Sequence, residues 1–325
     1  MASGPYALGV RLRNWLYDRG WKRVHTALVP VVSIGNLSVG GTGKTPCVEW
    51  VARFYRQRDL RVAIISRGYK AENGRNDEAM VLEDNLPDVP HLQNPDRVAA
   101  AEMAVAELES ELLILDDGFQ HRRLHRDIDL VLIDATRPPQ RDHLFPWGTL
   151  REPVSSLRRA SAFILTRCDQ AAAEDVAALA AWLRSSWPEI PIATSEHRPR
   201  ALIGAAGAEQ PPSWLAGKTV AAFCGIGHPA AFQATLAAWG AKVVAFRRYP
   251  DHHRYRRADV DDLTVWAAAQ PADAVIVTTQ KDWVKLRVAA FAQRPLWAVQ
   301  IGLHMRSGEE ALAAVLEKPL HECAH

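Results

Sequence analysis

The stretch Ser38-Val39-Gly40-Gly41-Thr42-Gly43-Lys44-Thr45-Pro46 sets three glycines, a lysine and a hydroxyl in an order that suits a polyphosphate, although Ser38 stands where the usual pattern has its first glycine. Gly40, Gly41 and Gly43 let backbone N–H groups turn toward phosphate oxygens, and a helix starting at the loop adds the positive end of its dipole. Lys44 would reach the β and γ phosphates of ATP and the Thr45 hydroxyl would ligate Mg²⁺. Pro46, with its fixed φ, suits a first helical turn. The same residues could form an ordinary glycine-rich turn, but VPVVSIGN before them reads as a strand and VEWVARFYRQR after them as a helix, the context a phosphate loop needs.

Such a loop needs an acidic partner at a neighbouring strand end. Leu112-Leu113-Ile114-Leu115-Asp116-Asp117 offers an apolar run and then two carboxylates, which repel one another unless a cation joins them. Asp134, after DLVLI, is a rival with a single carboxylate.

Several nucleotide chemistries compete. Partition ATPases carry a signature lysine where this chain has Val39, and GTPases read guanine with an NKxD element where it has Thr166-Arg167-Cys168-Asp169. Gly225-Ile226-Gly227-His228-Pro229-Ala230 resembles a GxGxxA dinucleotide fingerprint, with Arg247-Arg248 about twenty residues on, but a lone fingerprint is a weak signal and leaves the phosphate loop without a purpose. A small-molecule or lipid kinase remains, and it needs a base for the acceptor hydroxyl. The rival from another class is a P-loop nucleotide switch, hydrolysing ATP or GTP slowly in the service of a protein partner.

The elements that must position these groups alternate along the chain. Runs rich in Val, Ile and Leu at 29–36, 61–68, 111–118, 129–135 and 162–169 alternate with helical patterns, which predicts an α/β P-loop NTPase domain with a mostly parallel sheet. A second series at 219–227, 241–248, 273–280 and 296–303 predicts a second, smaller α/β domain. The expected division is residues 1–200 and 201–325, with the second domain closing over the site. Balanced charge, 39 basic against 37 acidic residues, argues against a general nucleic-acid binder, and four cysteines without a CxxC pair suggest neither a disulfide framework nor a thiolate zinc site. The N-terminus suggests neither a secretory signal nor a spanning helix. Leu8, Leu12, Trp15 and Leu16 recur at helical spacing among Arg11, Arg13, Arg19, Lys22 and Arg23, a pattern that suits either a helix lying on an anionic bilayer or one packed on its own domain.

With these pieces in order, the chain resembles the tetraacyldisaccharide 4′-kinase family, which phosphorylates the lipid A precursor of Gram-negative bacteria. The resemblance runs almost end to end: RLRNWLYDRGW, VPVVSIGNLSVGGTGKTP, SRGY, DDGFQHRRLHRD, LREP, a Tyr-Pro-Asp-His-His element and TTQKDWVKL. A small hydroxyl residue such as Ser38 is normal there. The resemblance implies transfer of the ATP γ-phosphate to the 4′-hydroxyl of an acylated glucosamine disaccharide 1-phosphate, with Mg²⁺, by a protein bound peripherally at the cytoplasmic face of the inner membrane. It implies no obligate protein partner.

By similarity the nucleotide loop is Ser38, Val39, Gly40, Gly41, Thr42, Gly43, Lys44 and Thr45, and the metal group is Thr45, Asp116 and Asp117, with Gln120 and Glu152 as further candidates. The family's base maps to Asp77, with His252 of Asp251-His252-His253 as its partner. Arg97, His121 and Arg151 match positions near the disaccharide and its phosphates. Asp77 taken alone reads as a turn residue, and the chain departs from the family in a short segment before it and in Asn76 and Ala79 where the family has Gly and Pro.

Overall fold

The computed structural model describes residues 3–68 and 77–322, so Tyr69 of the SRGY motif, Asn76 and Cys323 lie outside the described residues. The chain forms two compact units. One comprises the described residues of Met1–Gly74, Leu86–His197 and Leu303–His325; the other those of Arg75–Asn85 and Arg198–Gly302.

In the first unit, strands run in the order Ile192–Ile203 (as far as His197), Ala162–Thr166, Ile128–Asp134, Val31–Asn36, Leu112–Asp116, Val62–Ser66 and His91–Gln93, each parallel to the next in that order. The central strands are buried along their whole length, as expected when both faces of a parallel sheet are covered and the sequence is a continuous Val, Ile and Leu run. Phe163, Leu165, Leu179 and Leu183 belong to one apolar cluster and Val31, Ile65, Val98 and Ala101 to another. The register that sets Ile34 beside Asp116 brings the carboxyl end of Leu112–Asp116 next to the strand leading into the phosphate loop.

The second unit orders Lys242–Arg248, Thr219–Cys224, Val275–Thr279 and Arg294–Ser307 (as far as Gly302), each parallel to the next in that order. Its apolar clusters centre on Val220, Ala222, Phe232 and Val277, and on Phe223, Leu263, Phe291 and Leu296. The fold is therefore α/β with a mostly parallel sheet, a P-loop arrangement in the first unit and a smaller α/β second unit.

The observed division departs from one placed at 200/201 in two segments. Helix Asp77–Asn85 belongs to the second unit, where Asn85 Oδ1 accepts from Gln280 Nε2 at 2.6 Å and from Gln300 Nε2 at 2.7 Å, a buried amide cluster that no local sequence pattern announces. The last residues return to the first unit, where helix Glu309–Glu322 buries Leu312 and Leu316 and the Tyr55 hydroxyl donates to Leu316 O at 2.7 Å.

No helix among the described residues is long and apolar enough to cross a membrane. Helix Ser3–Asp18 packs through one face: Asn14 is buried, Tyr6 OH donates to Arg151 O and Arg13 Nη2 to Gln120 O. The opposite face leaves Leu8, Leu12 and Trp15 exposed by 69%, 53% and 41%.

Candidate active site

The phosphate loop joins strand Val31–Asn36 to helix Lys44–Arg56. Gly43 caps the helix with φ 86° and no side-chain hydrogen bond, so the cap supplies no side-chain acceptor to the first N–H groups of the helix. A Cβ there would fall 2.3 Å from the His197 ring, and Gly40 has φ 120°, so both positions require glycine. The loop is braced from outside: Thr166 Oγ1 donates to Thr42 O at 2.9 Å, Arg167 Nη2 to Gly41 O at 2.5 Å, and Val39 N to Thr149 O at 2.7 Å. Arg167 also pairs with Asp134 Oδ2 at 2.7 Å, and Asp134 Oδ1 accepts from the Thr136 hydroxyl at 2.6 Å. The rival acidic residue is thus part of a strap that holds the loop, and Arg167 of the Thr-Arg-Cys-Asp stretch works on the loop backbone.

Lys44 Nζ lies 3.4 Å from Asn36 Oδ1 and 3.4 Å from Asp117 Oδ1. Asp117, at φ 51°, also meets Arg151 Nη1 at Oδ2, 2.8 Å away, and its carbonyl accepts from Arg97 Nη1 at 3.3 Å. Burial alone would raise the Asp117 carboxyl, but Lys44, Arg151 and Arg97 outweigh it and hold the group below the usual carboxylate range. Burial pulls Arg97 down against the opposing pull of Asp117 and Asp116, and its Nε is buried with no hydrogen-bond partner among the described residues. His121 is lowered to about 4, by burial first and then by Arg97, Arg126, Arg123 and Arg13, so its ring is neutral at pH 7. Three cations around one carboxylate make a site for an anion of higher charge.

The site's fit to Mg²⁺ rests on donor chemistry. Thr45 is half-buried in the first turn of the helix and Asp116 is buried at its strand end, so a hydroxyl and two adjacent carboxylates supply hard oxygens. Among the described residues no three His, Cys, Asp or Glu side chains form a cage, and Mg²⁺ held by one or two carboxylates, substrate phosphates and water needs none. Gln120 and Glu152 also make protein contacts. Gln120 Nε2 donates to Asn36 O at 2.9 Å while its Oε1 accepts from Arg151 Nη1 at 3.2 Å, bracing the strand end. Glu152, 1% exposed, accepts from Asn14 Nδ2 and Arg159 Nη2 at Oε2, each at 2.9 Å, and so helps to seat the N-terminal helix, while its Oε1, 4.0 Å from Arg13 Nη1, has no hydrogen bond among the described residues.

The second unit carries the other expected pair. Asp77 opens helix Asp77–Asn85, where the helix dipole favours a carboxylate, and its Oδ2 lies 3.2 Å from His252 Nδ1 across 175 residues of sequence. His252 adopts φ 57°, its N–H shared between Asp251 Oδ1 at 3.0 Å and Gly225 O at 3.2 Å. His253 is engaged elsewhere, stacked on Tyr249 and 3.4 Å from Asp259 Oδ1, so His252 is the histidine that faces Asp77. The Gly225 N–H donates to Asp282 Oδ2 at 2.9 Å, and a Cβ on Gly225 would come within 3.1 Å of Asp282, His253 and Pro250. Gly225 is thus a close-packing glycine whose N–H is taken by a protein carboxylate, not a pyrophosphate cradle. Arg247, Arg256 and Arg257 pair with or cap Asp262, Asp259 and Asp261 of helix Arg257–Ala268.

Two residues escaped sequence reasoning. Asn36 ends the strand before the loop and was hidden in an apolar run. Lys285, within the quoted TTQKDWVKL stretch, sits 3.5 Å from Asp77 Oδ2, and only its charge among apolar neighbours hinted at a role.

A family model described as Tetraacyldisaccharide-1-P 4′-kinase (LpxK) matches residues 1–321. A tetraacyldisaccharide 4′-kinase of Anaeromyxobacter dehalogenans (strain 2CP-C) is 41% identical over 336 residues, covering 97% of this chain and 88% of the relative. One from Geobacter sulfurreducens is 37% identical, covering 97% and 91%. A crystal structure of LpxK from Aquifex aeolicus in complex with ATP superposes with a TM-score of 0.77 at 30% identity, covering 97% of this chain and 96% of that one.

Proposed function

This chain belongs to the tetraacyldisaccharide 4′-kinase family and is an ATP-dependent, Mg²⁺-using kinase of the tetraacyldisaccharide 1-phosphate precursor of lipid A, and on that premise we propose how its residues divide the reaction. The loop of residues 38–45 holds the ATP phosphates, with Lys44 on the β and γ groups. Thr45, Asp116 and Asp117 hold Mg²⁺, which when bound offsets charge on the transferring phosphoryl group. Arg97 and Arg151 grip anionic oxygens, where a guanidinium can give two hydrogen bonds, and neutral His121 offers a hydrogen bond without adding charge. Asp77 accepts the 4′-hydroxyl proton and His252 orients the carboxylate. The loop and the base come from different units, so transfer needs the reactants brought together, and we propose closure of the second unit over the nucleotide as the step that does it.

The observation that carries the reading is the 3.2 Å contact between Asp77 and His252, which sequence distance alone would not produce. The exposed Leu8, Leu12 and Trp15, with Arg11 and Arg19 beside them, support peripheral attachment to anionic lipid at the cytoplasmic face of the inner membrane. The reading needs neither nucleic acid nor a protein partner. It is tested by transfer of labelled γ-phosphate to the tetraacyldisaccharide 1-phosphate in micelles. Wild type should yield product labelled at the 4′ position and Asp77→Ala should not; near-normal transfer by the variant would remove Asp77 from the mechanism.

A further inference from the structure

Lys285 takes no part in the chemistry above, yet its placement is tightly specified. Its side chain is 10% exposed, with Nζ 3.1 Å from Asp282 Oδ1 and 3.5 Å from Asp77 Oδ2. Asp282 is fully buried and fixed in turn: its Oδ2 accepts from Gly225 N at 2.9 Å and from Thr279 Oγ1 at 2.7 Å. A lysine has a flexible stem whose rotamer freedom is lost when it is immobilised, so a buried anchor aiming it at a second carboxylate is a specific arrangement.

The charged groups around Asp77 can be placed individually. His252 and Lys285 both meet Oδ2, Asp251 stands 4.0 Å behind His252, Asp282 stands behind Lys285, and Glu78 follows Asp77 on the helix. Among the described residues both contacts fall on Oδ2, and Oδ1 is the oxygen that can accept a proton.

Resting on the reading of Asp77 as the base, we propose that Lys285, anchored by Asp282, is a positioning residue that clamps Asp77 Oδ2 together with His252 and so presents Oδ1 to the acceptor hydroxyl. In the step it serves, the O–H bond of the 4′-hydroxyl breaks and its proton passes to Oδ1. The freed oxygen pair forms the bond to the γ-phosphorus as the bond from that phosphorus to the β–γ bridging oxygen breaks, and ADP leaves with that electron pair. Lys285 neither gains nor loses a proton. The competing role is purely structural, with Lys285 serving only as counter-ion to buried Asp282.

The test is a double-mutant cycle read by phosphoryl transfer over a range of ATP and lipid concentrations up to saturation. Lys285→Met should lower kcat about 10- to 100-fold with KM for both substrates unchanged, Lys285→Arg should restore part of the loss, and in an Asp77→Asn background Lys285→Met should lower the residual rate no further. Where the single variant leaves Asp282 too destabilised to fold, Lys285→Met with Asp282→Asn supplies a neutral pair and should show the same kcat loss. A kcat within twofold of wild type in either form, or an equal loss in the Asp77→Asn background, overturns the proposal. A near-wild-type rate for Asp77→Asn alone would instead overturn the assignment of the base.

Discussion

The phosphate-loop unit and the unit that carries Asp77 hold their functional groups in different ways. In the first, the groups sit on consecutive strand ends and adjacent loops. Asn36, Lys44, Asp117, Gln120 and Arg151 form one hydrogen-bonded set, and Arg167 with Asp134 straps the loop from the other side. In the second, one short helix taken from early in the chain is fastened by an amide cluster at its far end and met by a histidine at its first residue. A polyphosphate site must be rigid and rich in donors before the ligand arrives, because its donors are worth most when they need no rearrangement. A general base needs only one carboxylate at the right place, so few contacts suffice.

That contrast can be broken or sharpened by substitution. The largest effect is expected from Lys44→Ala, which should cut transfer by about 10³-fold or more through weakened binding of Mg-ATP and lost charge stabilisation; normal nucleotide affinity measured by calorimetry would argue against Lys44 as the phosphate contact. Gly43→Ala should come next, weakening nucleotide binding at least about tenfold because a Cβ must fit at φ 86° and against His197. Arg167→Ala should destabilise the first unit by about 2–4 kcal/mol in urea unfolding, since it strands the buried Asp134 carboxylate and releases the Gly41 carbonyl. In the second unit His252 and Lys285 meet a carboxylate and not a loop backbone, so removal of the Asp77 carboxylate should appear in kcat and not in stability.

The last effect concerns pH and vanishes at neutrality. Burial lowers His91 to about 4 while Nε2 keeps a 2.9 Å hydrogen bond to Ser66. The unfolded chain therefore binds a proton that the folded chain refuses, so this stabilisation is complete above pH 6.5 and is lost as pH falls toward 4. His91→Asn should reduce the acid-side loss by up to on the order of 3 kcal/mol between those limits, read from urea unfolding at a series of pH values. Identical acid profiles would show that His91 does not carry it.

What could be read from the sequence followed the same divide. The placement of Ser38–Thr45 between strand and helix and of Asp116-Asp117 at a strand end was legible because each group occupies consecutive residues after an apolar run. Glu152 shows the opposite: nothing in the LREP motif announces that its Oε2 also accepts from Asn14, 138 residues away. The same limit hid the placement of helix Asp77–Asn85, whose amide partners Gln280 and Gln300 lie about two hundred residues away. Asp77 itself could be named only through family resemblance, since nothing in Asn76-Asp77-Glu78 separates a base from a turn. Periodicity reports which face of an element is buried; it does not report which distant side chain arrives there.

The central claim is that nucleotide holding and proton acceptance are separate duties of the two units. Its most direct test measures Mg-ATP affinity and the single-turnover transfer rate side by side for Asp77→Ala. The account predicts affinity within about twofold of wild type and a transfer rate lower by about 10²-fold or more. Loss of nucleotide affinity in step with the rate, or an unchanged rate, would contradict it.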